Sequence, residues 1–176
     1  CSQAGAKLVC IDVAHGHHIL MKNAIESIRE LVGEDIHIMA GNVATLEGFN
    51  DLADWGADSI RCNIGGGSIC TTRIQTGHGV PGLETILQCA KSDRDAKIIA
   101  DGGIKNSGDI VKAFAAGADA VMLGSLLAGT DCSPGTIFKT ETGELRKTYR
   151  GMASAAAQRD WRGRVSSCEG ISSSVP

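Results

Sequence analysis

The feature that most constrains the fold of this 176-residue chain is a regular alternation of short apolar runs with stretches of helical periodicity. A strand that is packed on both faces is nearly all apolar, and such strands alternating with helices are typical of a parallel sheet. The sequence therefore predicts five βα units. The predicted strands are residues 7–13, 35–40, 58–63, 97–100 and 120–123, and the predicted helices are residues 18–32, 45–55, 83–91 and 107–116.

Polar and glycine-rich residues collect where the predicted strands end. They are Asp12, Asn42, residues 65–72, residues 101–103 and the pair Gly124-Ser125. In a βα barrel the carboxyl ends of all strands form one active-site face, whereas a doubly wound sheet gathers its ligand groups at one switch point. The pattern favours an α/β fold of the (β/α)8 TIM barrel type. Because five units cannot close eight strands, we expect residues 1–176 to form one partial barrel domain.

The composition argues against several classes of function. Apolar residues make up 43% and charged residues 21% of the chain, as in an ordinary globular domain. The net charge of -3 gives no attraction for nucleic acid or for an anionic membrane surface, and no stretch predicts a membrane span. A phosphorylated small molecule stays open as a ligand, because backbone amides bind phosphate without a basic patch.

The cysteines argue against disulfide bonds, and the histidines argue against a catalytic metal centre. The seven cysteines are odd in number and form no CxxC pair, so we expect free thiols and a reducing, cytoplasmic location. His15, His17 and His18 are clustered, but neighbouring histidines on a helix point in different directions, and no suitable Cys or carboxylate spacing accompanies them. We expect surface or loop histidines and no catalytic metal centre of that kind.

A glycine-rich loop after the third predicted strand carries a candidate nucleophile. Residues 65–76 read GGGSICTTRIQT, which places the Cys70 thiol beside hydroxyl groups and flexible backbone. Glycines let a ligand approach the main chain closely, and a cysteine can form a covalent intermediate with its substrate. The alternative is a structural thiol that packs as a small apolar side chain.

The last third of the chain departs from the βα pattern. Turn residues at 133–135 and 142–143 predict a hairpin between residues 130 and 148, and small residues near 154–159 predict a helix. The serine-rich tail from Arg162 is expected to be mobile. We interpret residues 130–176 as a hairpin or flap with a mobile tail, within the same domain.

Seven motifs, taken in order, resemble the IMP dehydrogenase and GMP reductase family. They are IDVAHG at 11–16, GNV at 41–43, GGGSICTT at 65–72, ADGG at 100–103, MLGS at 122–125, YRGM at 149–152 and EG at 169–170. The resemblance implies a (β/α)8 barrel, of which this chain would supply strand four to strand eight and the distal flap segment. It also implies a homotetramer that binds a purine nucleoside monophosphate, NADPH or NAD, and in some relatives a monovalent cation such as K+.

The resemblance assigns catalytic roles to three residues. Cys70 would attack C2 of the purine, and Thr72 with Glu169 would relay a proton to the attacking water or the departing ammonia. A carboxylate works as a general base only when hydrogen bonds link it to the reacting group, so solvated surface is the alternative for Glu169.

Binding roles follow from the same resemblance. The implied substrate-binding residues are Ser68, Asp101, Gly102, Gly103, Gly124, Ser125, Tyr149, Gly151 and Met152. Asp101 would hold the ribose hydroxyls, and plain turns are the alternative for the glycine pairs. Asp12 and Asn42 resemble nicotinamide-side residues, with helix capping as the alternative. The carbonyls of Gly65, Gly67 and Cys70 match the cation positions.

Two reactions fit this resemblance, and a silent fragment is the third possibility. Reductive deamination of GMP to IMP with NADPH is favoured, because residues 70–73 and 12–14 look like the reductase and because Arg159-Asp160 stands in place of the Arg-Tyr pair of the dehydrogenase flap. NAD-dependent oxidation of IMP to XMP is the alternative, indicated by YRGM at 149–152. The third is a nucleotide-binding barrel fragment without catalysis.

Overall fold

The computed structural model describes residues 5–166, 168 and 170–176. The strands are β1 (Leu8–Asp12), β2 (His37–Val43), β3 (Ser59–Cys62), β4 (Lys97–Asp101), β5 (Ala120–Met122), β6 (Ile137–Lys139), β7 (Leu145–Arg150) and β8 (Ser172–Val175). The helices are α1 (Ile19–Val32), α2 (Leu46–Asp54), α3 (Thr72–Thr76), α4 (Gly82–Cys89), α5 (Ser107–Ala115), α6 (Ser125–Ala128) and α7 (Ala155–Arg162).

The first five strands form one parallel sheet in the order β1-β2-β3-β4-β5. Strand neighbours in space are therefore neighbours in the chain, without the reversal of order that defines a doubly wound sheet. The register brings the strand ends together, since Asp12 pairs with Gly41 and Asp101 pairs with Met122. This confirms the α/β class and the parallel sheet, and the strand order is consistent with part of a TIM barrel.

Local sequence sets the helix boundaries. Thr45 accepts a hydrogen bond from the Gly48 amide at 3.1 Å and so caps α2, as predicted, while Asn106 caps α5 and His18 caps α1. The C-terminal end of α2 is followed by Gly56, whose φ of 106° is unfavourable for residues with a Cβ atom. These caps account for the agreement between the predicted and observed helices.

The core lies between the sheet and its covering helices. Ile25, Phe49, Leu52 and Ile60 are fully buried, and the surrounding cluster extends to Ile86 and Cys89 on α4. Each such side chain contributes about 1.5–3 kcal/mol by leaving water, which fixes α2 and α4 against the sheet. The strand ends are thereby held rigidly enough to position a site.

Strand β2 differs from its prediction. It was expected to end at Ala40, but it continues through Gly41 and Asn42 to Val43, with a register shift against β3 between Gly41 and Val43. A Cβ atom on Gly41 would lie 2.6 Å from the Cβ of Arg61, so only glycine lets the strand pass this point. Asn42 is therefore a residue of strand β2, near its carboxyl end, and does not lie in a turn.

The predicted hairpin exists and has a third strand. β6 and β7 pair antiparallel, and β8 pairs with β7 on the other side. The serine-rich tail, expected to be mobile, therefore has a fixed partner over part of its length. Two short helices, α3 and α6, follow the glycine-rich loops and were not predicted. Within the described residues, no helix is long and apolar enough to cross a bilayer.

Candidate active site

The glycine-rich loop leaves β3 and leads directly into α3. Within it, the Cys70 amide donates a hydrogen bond to the Gly67 carbonyl at 3.1 Å, which folds the loop back on itself. The half-buried Cys70 thiol lies 3.2 Å from the Thr72 hydroxyl. Thr72 is buried at the start of α3. The geometry therefore joins two of the three residues that were expected to act in catalysis.

The distal segment packs against this loop. Gly170 forms one backbone bridge with Cys70 and another with Ser154, and the Ile171 amide donates to the Ile69 carbonyl at 3.1 Å. Gly151 completes the contact, because its amide donates to the Ile171 carbonyl at 3.1 Å. Glu169, the predicted third catalytic residue, lies outside the described residues. Its chain neighbour Gly170 is nevertheless fixed beside Cys70.

Two glycine-rich strand ends meet next to the Cys70 loop. A Cβ atom on Gly102 would lie 3.1 Å from the Gly67 nitrogen, and one on Gly103 would lie 3.2 Å from the Gly66 carbonyl. Both residues have positive φ, of 79° and 78°. Side chains at these positions would be strained and would push the loops apart. The backbone of the second loop is thus available to a ligand at the same edge as the thiol.

The predicted phosphate-side residues are partly brought together. The Tyr149 hydroxyl lies so close to Gly124 that a Cβ atom there would be 2.7 Å from it. Ser125 begins α6 immediately afterwards. A Cβ atom on Gly151 would lie 3.7 Å from the side chain of Ile69 in the Cys70 loop, whereas Met152 and Ser68 are exposed to solvent. Tyr149 and Gly151, two residues apart on one segment, therefore connect the Gly124 turn with the thiol loop.

Asp101 lies at the centre of an ion-pair network that the sequence did not reveal. Its Oδ2 accepts from Arg61 Nη2 at 2.7 Å, from Arg61 Nε at 3.0 Å and from Asn42 Nδ2 at 2.7 Å. Arg61 also pairs through Nη1 with Asp12 Oδ1 at 2.8 Å. The guanidinium of a strand residue thus holds the predicted ribose carboxylate and the predicted nicotinamide-side carboxylate together.

Arg61 is charged in this setting. Its side chain is only 11% exposed, and this burial by itself lowers the pKa of the guanidinium. The opposing attraction of Asp101 and Asp12 is larger, so the net pKa lies above the ordinary value. An alternating strand pattern gives no sign of this role, because one Arg in a four-residue strand normally faces solvent.

Asn42 and Asn63 extend the network toward the loops. Asn42 Nδ2 donates to the Asn63 carbonyl at 2.7 Å, and Asn63 Nδ2 donates to the Asp101 carbonyl at 2.8 Å. The buried Oδ1 of Asn42 has no hydrogen-bond partner within the described part of the chain. Helix capping is therefore the wrong alternative for Asn42 and Asp12, since His18 and Thr45 cap the helices that follow.

The side chain of Arg73 stabilises the thiol loop by hydrogen bonds to the segments on either side of it. Its Nε donates to the Ile64 carbonyl at 2.9 Å, and its Nη2 donates to Asn63 Oδ1 at 2.8 Å and to the Val80 carbonyl at 2.7 Å. One guanidinium so fixes the segments before and after α3. Sequence reasoning used Arg73 only as part of a motif and missed this structural role.

The predicted cation site and the histidine cluster add no reactive side chain to the candidate site. The Gly67 carbonyl accepts one hydrogen bond and retains a second lone pair, which fits a weak cation ligand, so the carbonyls of Gly65, Gly67 and Cys70 stay a predicted site. His17 is half-buried and bonds Asp51 at 2.7 Å, a contact that its assignment to surface or loop did not anticipate. Among the residues described, no group of three or more His, Cys, Asp or Glu is arranged to hold a metal ion.

Comparison with known proteins identifies the family. The sequence profile of the IMP dehydrogenase / GMP reductase domain matches residues 1–176. The chain belongs to this family. Similar proteins include the inosine-5'-monophosphate dehydrogenases of Nitrosopumilus maritimus, at 49% identity, and of Bacillus subtilis, at 52% identity, each matching 88% of this chain and 32% of the relative. The dehydrogenase of Rhizobium tropici is 51% identical over 88% of this chain and 31% of its own length.

These comparisons bear on the two reactions that the sequence left open. The chain spans about a third of the length of the curated relatives that it matches. Those relatives are named as dehydrogenases, so the preference for GMP reductase has no support from them. The motifs on which that preference was based are short, whereas identity to the named dehydrogenases is about 50% across most of the chain.

Proposed function

We propose that this chain carries the covalent chemistry of a nicotinamide-dependent purine nucleotide oxidoreductase. The observation behind the proposal is the Cys70 thiol, 3.2 Å from the Thr72 hydroxyl at the edge where the Asp101 network and the glycine-rich turns converge. A nucleophile, hydroxyl groups, backbone amides and a carboxylate are the groups needed to hold and attack a nucleoside monophosphate.

Oxidation of IMP is the reaction that the named relatives favour. The Cys70 sulfur adds to C2 of the purine, and the hydrogen on that carbon leaves as hydride with its electron pair, which reduces NAD. Water then adds to C2, the C–S bond breaks, and XMP leaves with the thiol restored. Thr72 and Glu169 act together as the proton relay for the attacking water.

The nicotinamide side fits residues that the structure describes. The orphaned Asn42 Oδ1 is an acceptor that suits a carboxamide N–H, and Asp12 lies at the end of the neighbouring strand. The dinucleotide supplies hydride transfer when it is bound. Asn42 and Asp12 serve to hold and orient it beside Asp101, to which both are linked directly or through Arg61.

Reduction of GMP by NADPH is the second candidate, favoured by one observation in the distal segment. The family resemblance implies that dehydrogenase flaps activate water with an adjacent Arg-Tyr pair. Here Arg159 is followed by Asp160, and Asp160 forms an ion pair with Arg150 at 2.6 Å. A flap without that pair suits the release of ammonia better than the activation of water.

Substrate contacts complete the proposal. Ser68, Gly103, Gly124 and Ser125 cradle the phosphate, Asp101 holds the ribose hydroxyls, and Tyr149, Gly151 and Met152 contact phosphate and base. We further propose a homotetramer with a closed (β/α)8 barrel, and a monovalent cation on the carbonyls of Gly65, Gly67 and Cys70.

The test follows the absorbance of reduced nicotinamide with the protein in its longest form. We expect a gain of absorbance with IMP and NAD, and no loss of absorbance with GMP and NADPH. The reverse result selects the reductase. Cys70→Ala should abolish turnover while the nucleotide still binds, as measured by calorimetry.

Cys168→Ala is the matched control, because Cys168 is another half-buried thiol of the same region. Its turnover should remain close to wild type. If Cys70→Ala retains wild-type turnover, covalent catalysis by Cys70 is wrong. If neither substrate pair reacts although nucleotides bind, the silent binding fragment is the correct interpretation.

A further inference from the structure

Asn63, the first residue after β3, has a backbone conformation that few side chains adopt. Its φ is 110°, and among the described residues it is the one non-glycine residue with positive φ. Such a conformation is unfavourable for a residue with a Cβ atom, and it persists only where surrounding contacts compensate for it. The contacts of Asn63 therefore outweigh this backbone strain at the point where the thiol loop begins.

The side-chain amide of Asn63 connects two parts of the candidate site. Its Nδ2 donates to the Asp101 carbonyl at 2.8 Å, and its Oδ1 accepts from Arg73 Nη2 at 2.8 Å. Asp101 carries the carboxylate that is proposed to hold the ribose hydroxyls, and Arg73 directly follows Thr72 on α3. One amide therefore joins the end of β4 to the helix that follows the thiol.

Two glycines leave room for this amide. The Asn63 residue is only 5% exposed. A Cβ atom on Gly66 would lie 1.9 Å from Asn63 Nδ2, and one on Gly82 would lie 3.0 Å from the same nitrogen. The thiol loop and the start of α4 therefore pack directly against the amide, so a displacement of the amide displaces the loop.

The contacts of Asn63 lie on both sides of Cys70 along the chain. Gly66 packs against the amide before Cys70, and Arg73 bonds the amide after it. In the proposed reaction the rate depends on the distance between the Cys70 sulfur and C2 of the purine, and a misplacement of about 1 Å can lower a rate about 100-fold. Asn63 bonds both the segment that carries the sulfur and the residue proposed to hold the nucleotide.

We propose that Asn63 is a positioning residue, which sets the place of the Cys70 sulfur relative to a nucleotide held at Asp101. This inference rests on the proposed function and adds a residue to it that acts through Arg73 and the backbone of the thiol loop. Glycine would fit the backbone conformation at this position without strain, but it would not supply the amide.

The kinetic test uses Asn63→Gly in the longest form of the protein. This substitution removes the backbone strain together with the hydrogen bonds, so the melting temperature should stay close to that of the wild type. The kcat should fall about 10- to 100-fold, with little change in the KM for the purine nucleotide. A purely structural role would instead lower the melting temperature and leave the kcat of the folded enzyme unchanged. A wild-type kcat in Asn63→Gly overturns the inference.

A second test needs neither turnover nor a nucleotide. Iodoacetamide alkylates accessible thiols, and mass spectrometry of peptides gives the rate at each cysteine. The rate at the half-buried Cys70 should rise about three- to tenfold in Asn63→Gly, the increase in loop opening expected from losing one or two hydrogen bonds. The rate at the exposed Cys132 should be the same in both proteins. An unchanged rate at Cys70 overturns the inference.

Two further variants serve as rescue and control. Asn63→Asp keeps an acceptor for Arg73 and a residue type that tolerates positive φ, so it should restore part of the slow alkylation of Cys70. Alkylation as fast as in Asn63→Gly would contradict the role of the Arg73 bond and overturn the inference. Asn50→Ala removes an amide of α2 that accepts from the Ser92 hydroxyl at 2.5 Å, and it should behave as wild type in both tests. If it accelerates the alkylation of Cys70 equally, the effect is general destabilisation and the inference is wrong.

The two tests distinguish this inference from the proposed function. If the wild type shows no turnover but Asn63→Gly still accelerates the alkylation of Cys70, the proposed reaction fails while the positioning of the thiol is supported. If the wild type turns over and Asn63→Gly has the same kcat, the proposed function is supported and the inference is overturned.

Discussion

At the scale of single residues, Arg61 does the most to organise the candidate site. Two carboxylates at the same edge of a sheet repel each other when they face the same space without a cation. Arg61 lies between Asp101 and Asp12 and bonds both, with its own side chain only 11% exposed. The site is therefore preorganised by a strand residue that itself need not touch the substrate.

Replacing Arg61 tests this arrangement. Arg61→Gln should lower the free energy of unfolding by about 3–5 kcal/mol, because it leaves Asp101 without its charged partner in a poorly solvated position. Chemical denaturation of the variant and the wild type measures the difference. Arg94→Gln is the control, since Arg94 pairs with Asp54 at the surface and surface ion pairs contribute little. Equal stabilities of Arg61→Gln and wild type would contradict the network.

At the scale of elements, the amino ends of the strands are held by a second arginine. Arg29 of α1 donates to the carbonyls of Ile36 and Gly56 and bonds Asp58 at 2.7 Å. Asp58 also accepts from the Ile38 amide at 2.6 Å. Partial burial raises the pKa of Asp58, but the Ile38 amide and Arg29 lower it more, so that the net pKa is below the ordinary value. This contact ties α1 to β2 and β3.

The lowered pKa of Asp58 gives stability a defined pH dependence. The contribution of the carboxylate is fully present above the unfolded pKa, about 3.9, and is lost as the pH falls through the lower folded pKa. Asp58→Asn should therefore be less stable than wild type at pH 7, and the difference should shrink below about pH 4. Thermal melts across this range measure it. Asp131→Asn, at an exposed position, should show no comparable difference.

The distal elements α7 and β7 are stabilised by buried polar side chains that the hydrophobic periodicity of the sequence does not predict. Gln158 of α7 is buried and accepts hydrogen bonds from the amide and hydroxyl of Ser166, while its Nε2 donates to the Ala153 carbonyl. Lys147 of β7 is buried as well, with Nζ bonded to the carbonyls of Thr130 and Ser133. Both were invisible in the sequence, because Gln and Lys are ordinarily surface residues.

At the scale of the whole molecule, the described sheet has β1 and β5 as its outer strands. Unpaired strand edges invite association with other chains, and a closed barrel removes them. We expect residues 1–176 expressed alone to melt broadly and to form mixed oligomers, and a longer form with further strands to melt cooperatively. Circular dichroism and light scattering measure both properties. A sharp transition and one defined mass for residues 1–176 would contradict the need for further strands.

The sequence alone determined the five parallel strands, the helices α1, α2, α4 and α5, and the thiol loop. Those features depend on contacts close in the chain: strand hydrophobicity, caps such as Thr45, and glycines that end helices. The family was equally readable, because its motifs are short segments of contiguous residues. The bond between Cys70 and Thr72 follows from a separation of two residues at a helix start.

Only the tertiary structure decided how the strand ends are joined. The bonds of Arg61 to Asp101 and Asp12, and of Asn42 to Asp101, connect residues 40, 49 and 59 positions apart. The bridge from Gly170 to Cys70 and the pairing of a serine-rich strand with β7 are likewise long-range. The physical reason is that burial and charge pairing depend on neighbours in space, which local periodicity does not specify.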